Sequence, residues 1–318
     1  MKPASAIALI FLVNSVLAAN LPDVADGAQA MTLSGRSLYS AAPGQASLGQ
    51  LAAAKKNYDE NPGDADTIIW YGRRTAYTGD FRGAIEIFSE GIEKFPQDDR
   101  MYRHRGHRYI SIREFDRAIA DLEQAAMLIE GKQNETEPDG QPNEQNIPVS
   151  SRHGNIWYHL GLAYYLKQEW ENAFRAYQNG FNAGRNDDNR VSTTHWLYMI
   201  KRRMGDEEGA VKVLDVITAD MNVIENFSYH KLCLFYKGGM TVQELIGENE
   251  DTPSGASAAY GLANWYYYNG EDEKATQHLE ALLASSSWAA FGFIAAEADL
   301  AGGSRMKSDA SHAVSPHN

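Results

Sequence analysis

The sequence predicts an all-α fold, a solenoid of helix–turn–helix repeats, and three observations support this prediction. First, residues 65–98 align without a gap with residues 99–132, so the two stretches repeat at a period of 34 residues. Second, small residues recur at matched places in both stretches, which lets paired helices approach closely. Third, Cys233 is the only cysteine, so stability must come from helix packing and not from disulfides.

The repeat extends along most of the chain. The matched pairs in the first two copies are Gly72 and Gly106, Phe81 and Phe115, Ala84 and Ala118, and Phe88 and Leu122. Further copies are predicted at 154–187, at 191–224, in a degenerate form at about 225–252, and at 256–289. Helices at 47–60 and 287–300 are expected to cap the two ends, because terminal repeats of a stack need a covered face.

These motifs resemble the tetratricopeptide repeat. The best-matching copy carries an aromatic residue, Leu, Gly and Tyr on its first helix and an aromatic residue, Ala, Tyr and Gly on its second, namely Trp157, Leu160, Gly161, Tyr164, Trp170, Ala173, Tyr177 and Gly180. The resemblance covers roughly residues 47–300. It implies a right-handed superhelix in which the first helices of successive repeats line the concave face.

The two ends of the chain show different patterns. Residues 1–19 combine Lys2, an apolar run from Ala6 to Leu17 and small residues at a cleavage site, which is the pattern of a secretory signal peptide. We therefore expect an exported protein, periplasmic or secreted. No later stretch is long and apolar enough for a membrane span. Residues 20–46 read as a flexible leader and residues 301–318 as a disordered tail.

An insertion interrupts the period. Gly106 and Gly161 are 55 residues apart, which is 21 more than one repeat, and the extra residues fall in 131–155. This insertion loop contains Pro138, Pro142 and Pro148 and few apolar residues. A loop of that length is either a functional flap or disordered, and its composition favours disorder.

The charge of the chain and the charge of its predicted groove differ. A net charge of −13 argues against a nucleic-acid partner, which would select for positive potential. The positions that the family resemblance places on the concave face are nevertheless mostly basic or aromatic. The candidate ligand-binding residues are Arg73, Tyr77, Arg103, His107, Tyr158, Tyr165, His195 and Arg202. Part-buried arginines are predicted to support them from behind, namely Arg74, Arg105 and Arg108.

Two binding functions follow as hypotheses. The first is a non-enzymatic interaction scaffold that holds a protein or peptide segment along the groove. An acidic segment is favoured, because arginine forks bind carboxylates bidentately. The alternative is a receptor for an anionic small molecule or glycan in one closed pocket near Arg73, Arg103 and His107. A groove filled by the chain's own leader or carboxylates would contradict both.

Other classes of function find little support in the sequence. No catalytic motif is present, so an enzyme is not expected and no cofactor is implied. His104 and His107 have a spacing that permits metal ligation, but flanking arginines would repel a cation, so no metal site is predicted. The expected partner is a protein or peptide, and the expected state is a monomer or weak oligomer.

Overall fold

The structure is a computed structural model that describes residues 21–246 and 252–302. These residues form fourteen α-helices and one two-stranded antiparallel sheet, so the all-α prediction is confirmed. In this part of the chain no helix has the length and hydrophobicity to cross a membrane. The predicted signal peptide (1–19), positions 247–251 of the degenerate repeat and positions 303–318 of the predicted tail lie outside the described residues.

The elements follow in a simple order. Strands β1 and β2 span Ala30–Met31 and Ser37–Leu38. The first seven helices are α1 (Gln45–Glu60), α2 (Ala65–Tyr77), α3 (Phe81–Lys94), α4 (Asp99–Ser111), α5 (Phe115–Leu128), α6 (Arg152–Leu166) and α7 (Trp170–Ala183). The remaining seven are α8 (Asp187–Arg203), α9 (Glu207–Val213), α10 (Phe227–Tyr236), α11 (Val242–Ile246), α12 (Pro253–Tyr268), α13 (Asp272–Leu283) and α14 (Phe291–Ala301).

The first three helical pairs pack as the repeat pattern predicts. Helices α2 and α3, α4 and α5, and α6 and α7 are antiparallel neighbours joined by short turns. Glycines are required where the two helices of a pair touch: a Cβ on Gly72 would lie 2.6 Å from the Phe88 ring, and one on Gly161 would lie 2.6 Å from Tyr177. The small residues therefore set the helix separation, and the rings opposite them fill the remaining space.

The fourth pair departs from the regular pattern. Helix α8 is long, with 17 residues, whereas α9 has only 7 and continues into a short 3₁₀ turn at Leu214–Val216. The segment that follows is fastened to α8 by the buried carboxylate of Asp188, which accepts hydrogen bonds from the backbone N–H groups of Glu225 and Asn226 at 2.9 and 2.7 Å. The later helices are thereby directed toward the inside of the array.

Helix α14 closes the concave side. The Phe291 ring lies 5.3 Å from the ring of His107 on α4. Arg113, in the turn after α4, donates from Nε to Glu297 Oε2 at 2.8 Å, and both side chains are buried. The concave face of the middle repeats is therefore an interior packed against the chain's own last described helix, and not an open groove.

The leader differs from the flexible segment predicted for residues 20–46. Strands β1 and β2 form a hairpin whose Ala30 and Leu38 side chains join the core. The Gln29 side chain accepts hydrogen bonds from the backbone N–H groups of Phe81 and Arg82 at 2.9 and 3.2 Å, and so caps the start of α3. The leader is rich in Gly, Ala and Ser. This composition suits a disordered segment and also an irregular segment held by side-chain hydrogen bonds, so composition alone does not distinguish the two.

Candidate functional site

Helix α4 supplies most of the polar side chains that face the interior. The helix starts at the Asp98 cap, whose carboxylate accepts from the backbone N–H of Arg100. Arg103 and His107 lie one turn apart on the same face, as i and i+4 positions do. His104 and Arg108, which are also one turn apart, lie on the adjoining face. Four cationic or imidazole groups are therefore concentrated on two turns of one helix.

The insertion loop covers this face of α4, which differs from the disorder that its composition favours. Thr136 pairs with Ser151 in an isolated antiparallel bridge, so the loop is fixed at the start of α6. Arg73 Nη1 donates to the Pro138 carbonyl at 2.9 Å, and Arg74 Nη1 donates to the Gly140 carbonyl at 2.8 Å. Backbone carbonyls held by buried arginines give the loop one defined path across the groove.

The carboxylate of Glu137 lies at the centre of the basic cluster. Its Oε1 atom is 3.3 Å from Arg103 Nη2, 3.8 Å from His104 Nε2 and 3.9 Å from Arg73 Nη1. Its other oxygen accepts a hydrogen bond from Asn155 Nδ2 at 2.8 Å. Arg73 and Arg103 are thus paired with a carboxylate of the same chain. This is the arrangement that contradicts both binding hypotheses, and Arg108 is the arginine of this region to which it does not apply.

Arg103 is not fully satisfied by this carboxylate. Its Nη1 donates to His104 Nδ1 at 2.6 Å, but its buried Nε finds no acceptor among the described residues. Since a guanidinium can only donate, His104 Nδ1 is the acceptor and the proton of this imidazole is on Nε2. The pKa of Arg103 is lowered by burial, with the Glu137 charge opposing this effect.

Arg108 lacks a carboxylate altogether in the described chain. Its Nη2 donates to His107 Nδ1 at 2.5 Å and its guanidinium lies 5.3 Å from the centre of the Phe81 ring. Burial lowers the pKa of Arg108 to about 10, and the charges of Arg103 and Arg73 act in the same direction. At neutral pH the group is therefore still charged, and nothing in the described part of the chain neutralises it.

The histidines of the cluster are neutral. Burial lowers the pKa of His104, His107 and His159 well below the ordinary range, and neighbouring arginines lower it further. His107 accepts from Arg108 at Nδ1, so its Nε2 carries the proton. These imidazoles act as neutral donors, and the positive charge of the site resides on arginine.

These residues enclose a cavity of about 160 Å³, which we call the arginine pocket. Its walls include Arg73, Tyr77, Arg103, His107 and Arg108, together with Glu137 of the insertion loop. Asp139 and Glu225 also border it, but neither is within ion-pairing distance of these arginines in the described structure. Glu137 therefore pairs with Arg73 and Arg103 only, and Arg108 is left without a carboxylate partner in the described residues, so the pocket has an excess of hydrogen-bond donors.

The remaining groove candidates lie elsewhere, under the chain's own later helices. Tyr165 is 2% exposed and its hydroxyl is 2.8 Å from that of Tyr260. His195 is 1% exposed and bonds to the Tyr236 hydroxyl. Arg202 donates to the Tyr268 carbonyl at 2.9 Å. The prediction that these three residues share an open binding surface with α2 and α4 is wrong, because α10 and α12 occupy that surface.

Tyr158, Arg105 and Arg108 lie in three different environments. The Tyr158 hydroxyl accepts from Trp196 Nε1 at 2.9 Å and meets the Tyr229 hydroxyl at 3.0 Å, beside a second cavity. Arg105 forms a bidentate pair with Asp121 on α5, at 2.7 Å for each bond, and faces away from the pocket. Arg108, predicted to support the groove from behind, instead lines the pocket directly.

The sequence did not predict a role for Glu137 or Phe291. A signal for Glu137 existed, since an acidic insertion lies next to the basic groove in an otherwise regular array. Phe291 could not be found in this way, because the repeat pattern does not specify that the array closes on itself.

The fold and site together define a helical-repeat protein with a closed interior and a buried arginine pocket. No family model and no curated protein matches the chain. Among solved structures, it is similar to YrrB, described as a TPR protein with an unusual peptide-binding site, at 16% identity and a TM-score of 0.42 over 73% of this chain and 91% of that chain.

Two other solved structures are similar to this chain to about the same degree as YrrB. TPR-like repeats of a putative kinesin light chain from Podosopora anserina give 15% identity and a TM-score of 0.42 over 70% of this chain and 95% of that chain. MamA gives 14% identity and a TM-score of 0.39 over 80% and 98%. Similarities this weak identify no ligand or partner for this chain.

Proposed function

We propose that the protein is a non-enzymatic receptor that captures an anionic ligand in the arginine pocket. The observation that carries this proposal is that only one of the three carboxyl residues at the pocket, Glu137, pairs with its arginines, while Arg108 has no carboxylate partner in the described residues. A buried guanidinium without a counter-ion is unfavourable, so an anion that enters the pocket replaces a missing interaction. In keeping with the signal-like N-terminal sequence, we expect this capture to take place after export.

The pocket supplies donors suited to a planar or tetrahedral anion. Arginine forks donate in pairs to carboxylate or phosphate oxygens, and such charge-assisted bonds are about twice as strong as neutral ones. The Nε2–H groups of His104 and His107 add uncharged donors, and the Tyr77 hydroxyl lies beside Arg73 at 3.3 Å. The volume of about 160 Å³ favours a small ligand over a long peptide.

A second candidate is an interaction module that binds an acidic protein segment. The observation in its favour is that α2 and α4 already hold an acidic stretch of polypeptide, since Arg73 and Arg103 contact the carbonyl of Pro138 and the carboxylate of Glu137. A partner segment would have to displace this part of the insertion loop. The two candidates therefore differ in whether the loop stays in place on binding.

Calorimetric titration of the full chain with inorganic phosphate, acetate and citrate tests the receptor. We expect saturable binding of at least one of these anions, weakened by about 10- to 100-fold in Arg108→Gln, because one charge-assisted hydrogen bond contributes about 1.5–3 kcal/mol. Arg190→Gln is the matched control, since Arg190 is an exposed arginine paired within α8. Absence of binding, or equal affinities in all three proteins, would contradict the receptor.

The second candidate, an interaction module for an acidic protein segment, is tested with a peptide that corresponds to residues 133–140. It should bind a variant whose residues 133–148 are replaced by a Gly-Ser linker of equal length, and not the same variant carrying Arg103→Gln. Binding of the peptide with no binding of small anions to the wild type would favour the module over the receptor.

A further inference from the structure

A second cavity adjoins the arginine pocket. It measures about 230 Å³ and lies between α6, α8, α10 and α14. The two cavities share the wall residues Ser150, Asn155 and Glu225. We call the second cavity the polar chamber. A ligand with an anionic group at the arginines can therefore extend its body past Asn155 into this chamber.

Most of the side chains in the chamber walls carry a polar group, and no lysine or arginine is among the described residues that line it. Hydroxyl groups come from Ser192, Thr193 and Tyr229, and a side-chain amide comes from Asn155. Glu225 adds a carboxyl group where the two cavities meet, and burial raises its pKa. The Ser192 and Thr193 hydroxyls donate to the Asn189 carbonyl, so toward a ligand they act as acceptors. The Asn155 amide donates to Glu137 and keeps its oxygen as an acceptor for the hydroxyls of a ligand.

One wall of the chamber is apolar. The ring of Phe291 faces it, held by ring contacts to Tyr158 at 6.2 Å and His159 at 5.7 Å. An aromatic face opposite hydroxyl and amide groups suits a ring that presents C–H bonds on one side and hydroxyls at its edge. Pyranose sugars have this amphipathic form.

We infer that the ligand of the receptor is an acidic sugar, whose carboxylate binds Arg103 and Arg108 while its ring and hydroxyls occupy the polar chamber. This inference rests on the proposed anion receptor and adds the class of ligand to it. A neutral sugar would leave the guanidinium groups without a counter-ion. A simple anion would leave the chamber unfilled. Together the two cavities reach the lower end of the range of about 300–1,000 Å³ that is common for ligand pockets.

Titration of the wild type decides between these ligands. The probes are D-galacturonate and D-glucuronate, the neutral sugars D-galactose and D-glucose, and the simple anions acetate and phosphate. We expect at least one uronate to bind 10-fold or more tightly than acetate, phosphate and either neutral sugar. Equal binding of acetate or phosphate would overturn the acidic-sugar inference and leave the receptor in place. Absence of binding by every anion would remove the receptor as well.

Variants assign the two parts of the ligand to the two cavities. Tyr229→Phe and Ser192→Ala each remove a hydroxyl from the chamber, and we expect each to weaken uronate binding about 3- to 10-fold while acetate binding is unchanged. Arg108→Gln should weaken both. Unchanged uronate affinity in both chamber variants would overturn the assignment of the sugar ring, and thermal unfolding of each variant confirms that the fold is retained.

Discussion

Buried arginines in this protein differ in whether a carboxylate accompanies them. Arg105 pairs with Asp121, Arg113 with Glu297 and Arg203 with Asp299, and all six side chains are less than a tenth exposed. Each pair joins two different helices or a helix and a turn. Arg108 has no such partner in the described residues. The paired arginines join elements of the fold, whereas the unpaired one lines the arginine pocket.

The Arg113–Glu297 pair provides a stability test. We expect Arg113→Met to lower the free energy of unfolding by about 3–5 kcal/mol, because it leaves the Glu297 carboxylate buried without its cation. The double variant Arg113→Met/Glu297→Leu should recover most of this loss, since it removes both charges. Urea unfolding measures both values. A double variant no more stable than the single one would show that packing, and not the charge, explains the loss.

His195 provides a test of pH dependence. Burial lowers its pKa to about 3, whereas a histidine in the unfolded chain titrates near 6.5. Below that value the unfolded chain binds a proton that the folded protein does not, so stability is lost as pH falls. The loss approaches about 1.4 kcal/mol per pH unit for this residue.

The measurement is urea unfolding at pH 7, 6, 5 and 4 for the wild type and His195→Gln. Because every other titrating group is common to both proteins, the difference between their slopes isolates His195. Parallel curves for the two proteins would mean that His195 is charged in the fold.

At the scale of the elements, the irregular segments are joined to the helices by specific side-chain contacts. The leader hairpin caps α3 through Gln29, and the insertion loop crosses the groove through Glu137 and Pro138. Both segments use single side chains to satisfy backbone or guanidinium groups on a helix. Segments of low apolar content can therefore be ordered when a few strong hydrogen bonds fix them to a rigid array.

Gln29→Ala tests the role of the leader. We expect it to lower the free energy of unfolding by about 1–2 kcal/mol, as the loss of a helix cap does, because two N–H groups at the start of α3 lose the Gln29 oxygen and only that of Phe81 keeps another acceptor, the Gly79 carbonyl. Gln29→Glu keeps an acceptor and places a negative charge at a helix N-terminus, so it should retain wild-type stability. Equal losses in both variants would point to packing of the hairpin instead.

The regular helices could be predicted from sequence, and the site largely could not. The period of 34 residues follows from packing between neighbours, where Gly72 must face Phe88 and Gly161 must face Tyr177, so local sequence contains the information. The contacts of Glu137 join residues that are distant in sequence, and no periodic pattern specifies them. The predicted pocket near Arg73, Arg103 and His107 lies where those residues meet. Its cover comes from the insertion loop, and one wall of the neighbouring chamber comes from Phe291 on α14, both outside the repeats.

At the scale of the whole molecule, the array is a closed body. In an open solenoid each repeat contacts only its neighbours, and stability is nearly a sum of local terms. Here α14 packs on α6 and α12 and reaches Arg113 and His107 near the other end of the array. Opening of the C-terminal helices should therefore destabilise the first repeats as well.

Phe293→Ala tests this coupling. Phe293 on α14 is fully buried, and we expect its truncation to cost about 3–5 kcal/mol. Hydrogen exchange should then show loss of protection in α4 together with α14, because the two helices share one interior. Met127→Ala, at a side chain that is 62% exposed, is the control and should change stability by less than about 0.5 kcal/mol. Unchanged protection in α4 would indicate an open, locally stable array.

The closure by α14 also has a consequence for biosynthesis. Arg113 cannot form its ion pair until Glu297 has been translated, 184 residues later. At about 5–20 residues per second this is a delay of about 10–40 s. During that interval the early repeats carry unpaired charges and uncovered rings such as Phe81, whose edge-on contact is Trp288. The nascent chain therefore exposes side chains that are buried in the complete protein. We expect chaperones that bind exposed apolar surface to associate with it until α14 has been synthesised.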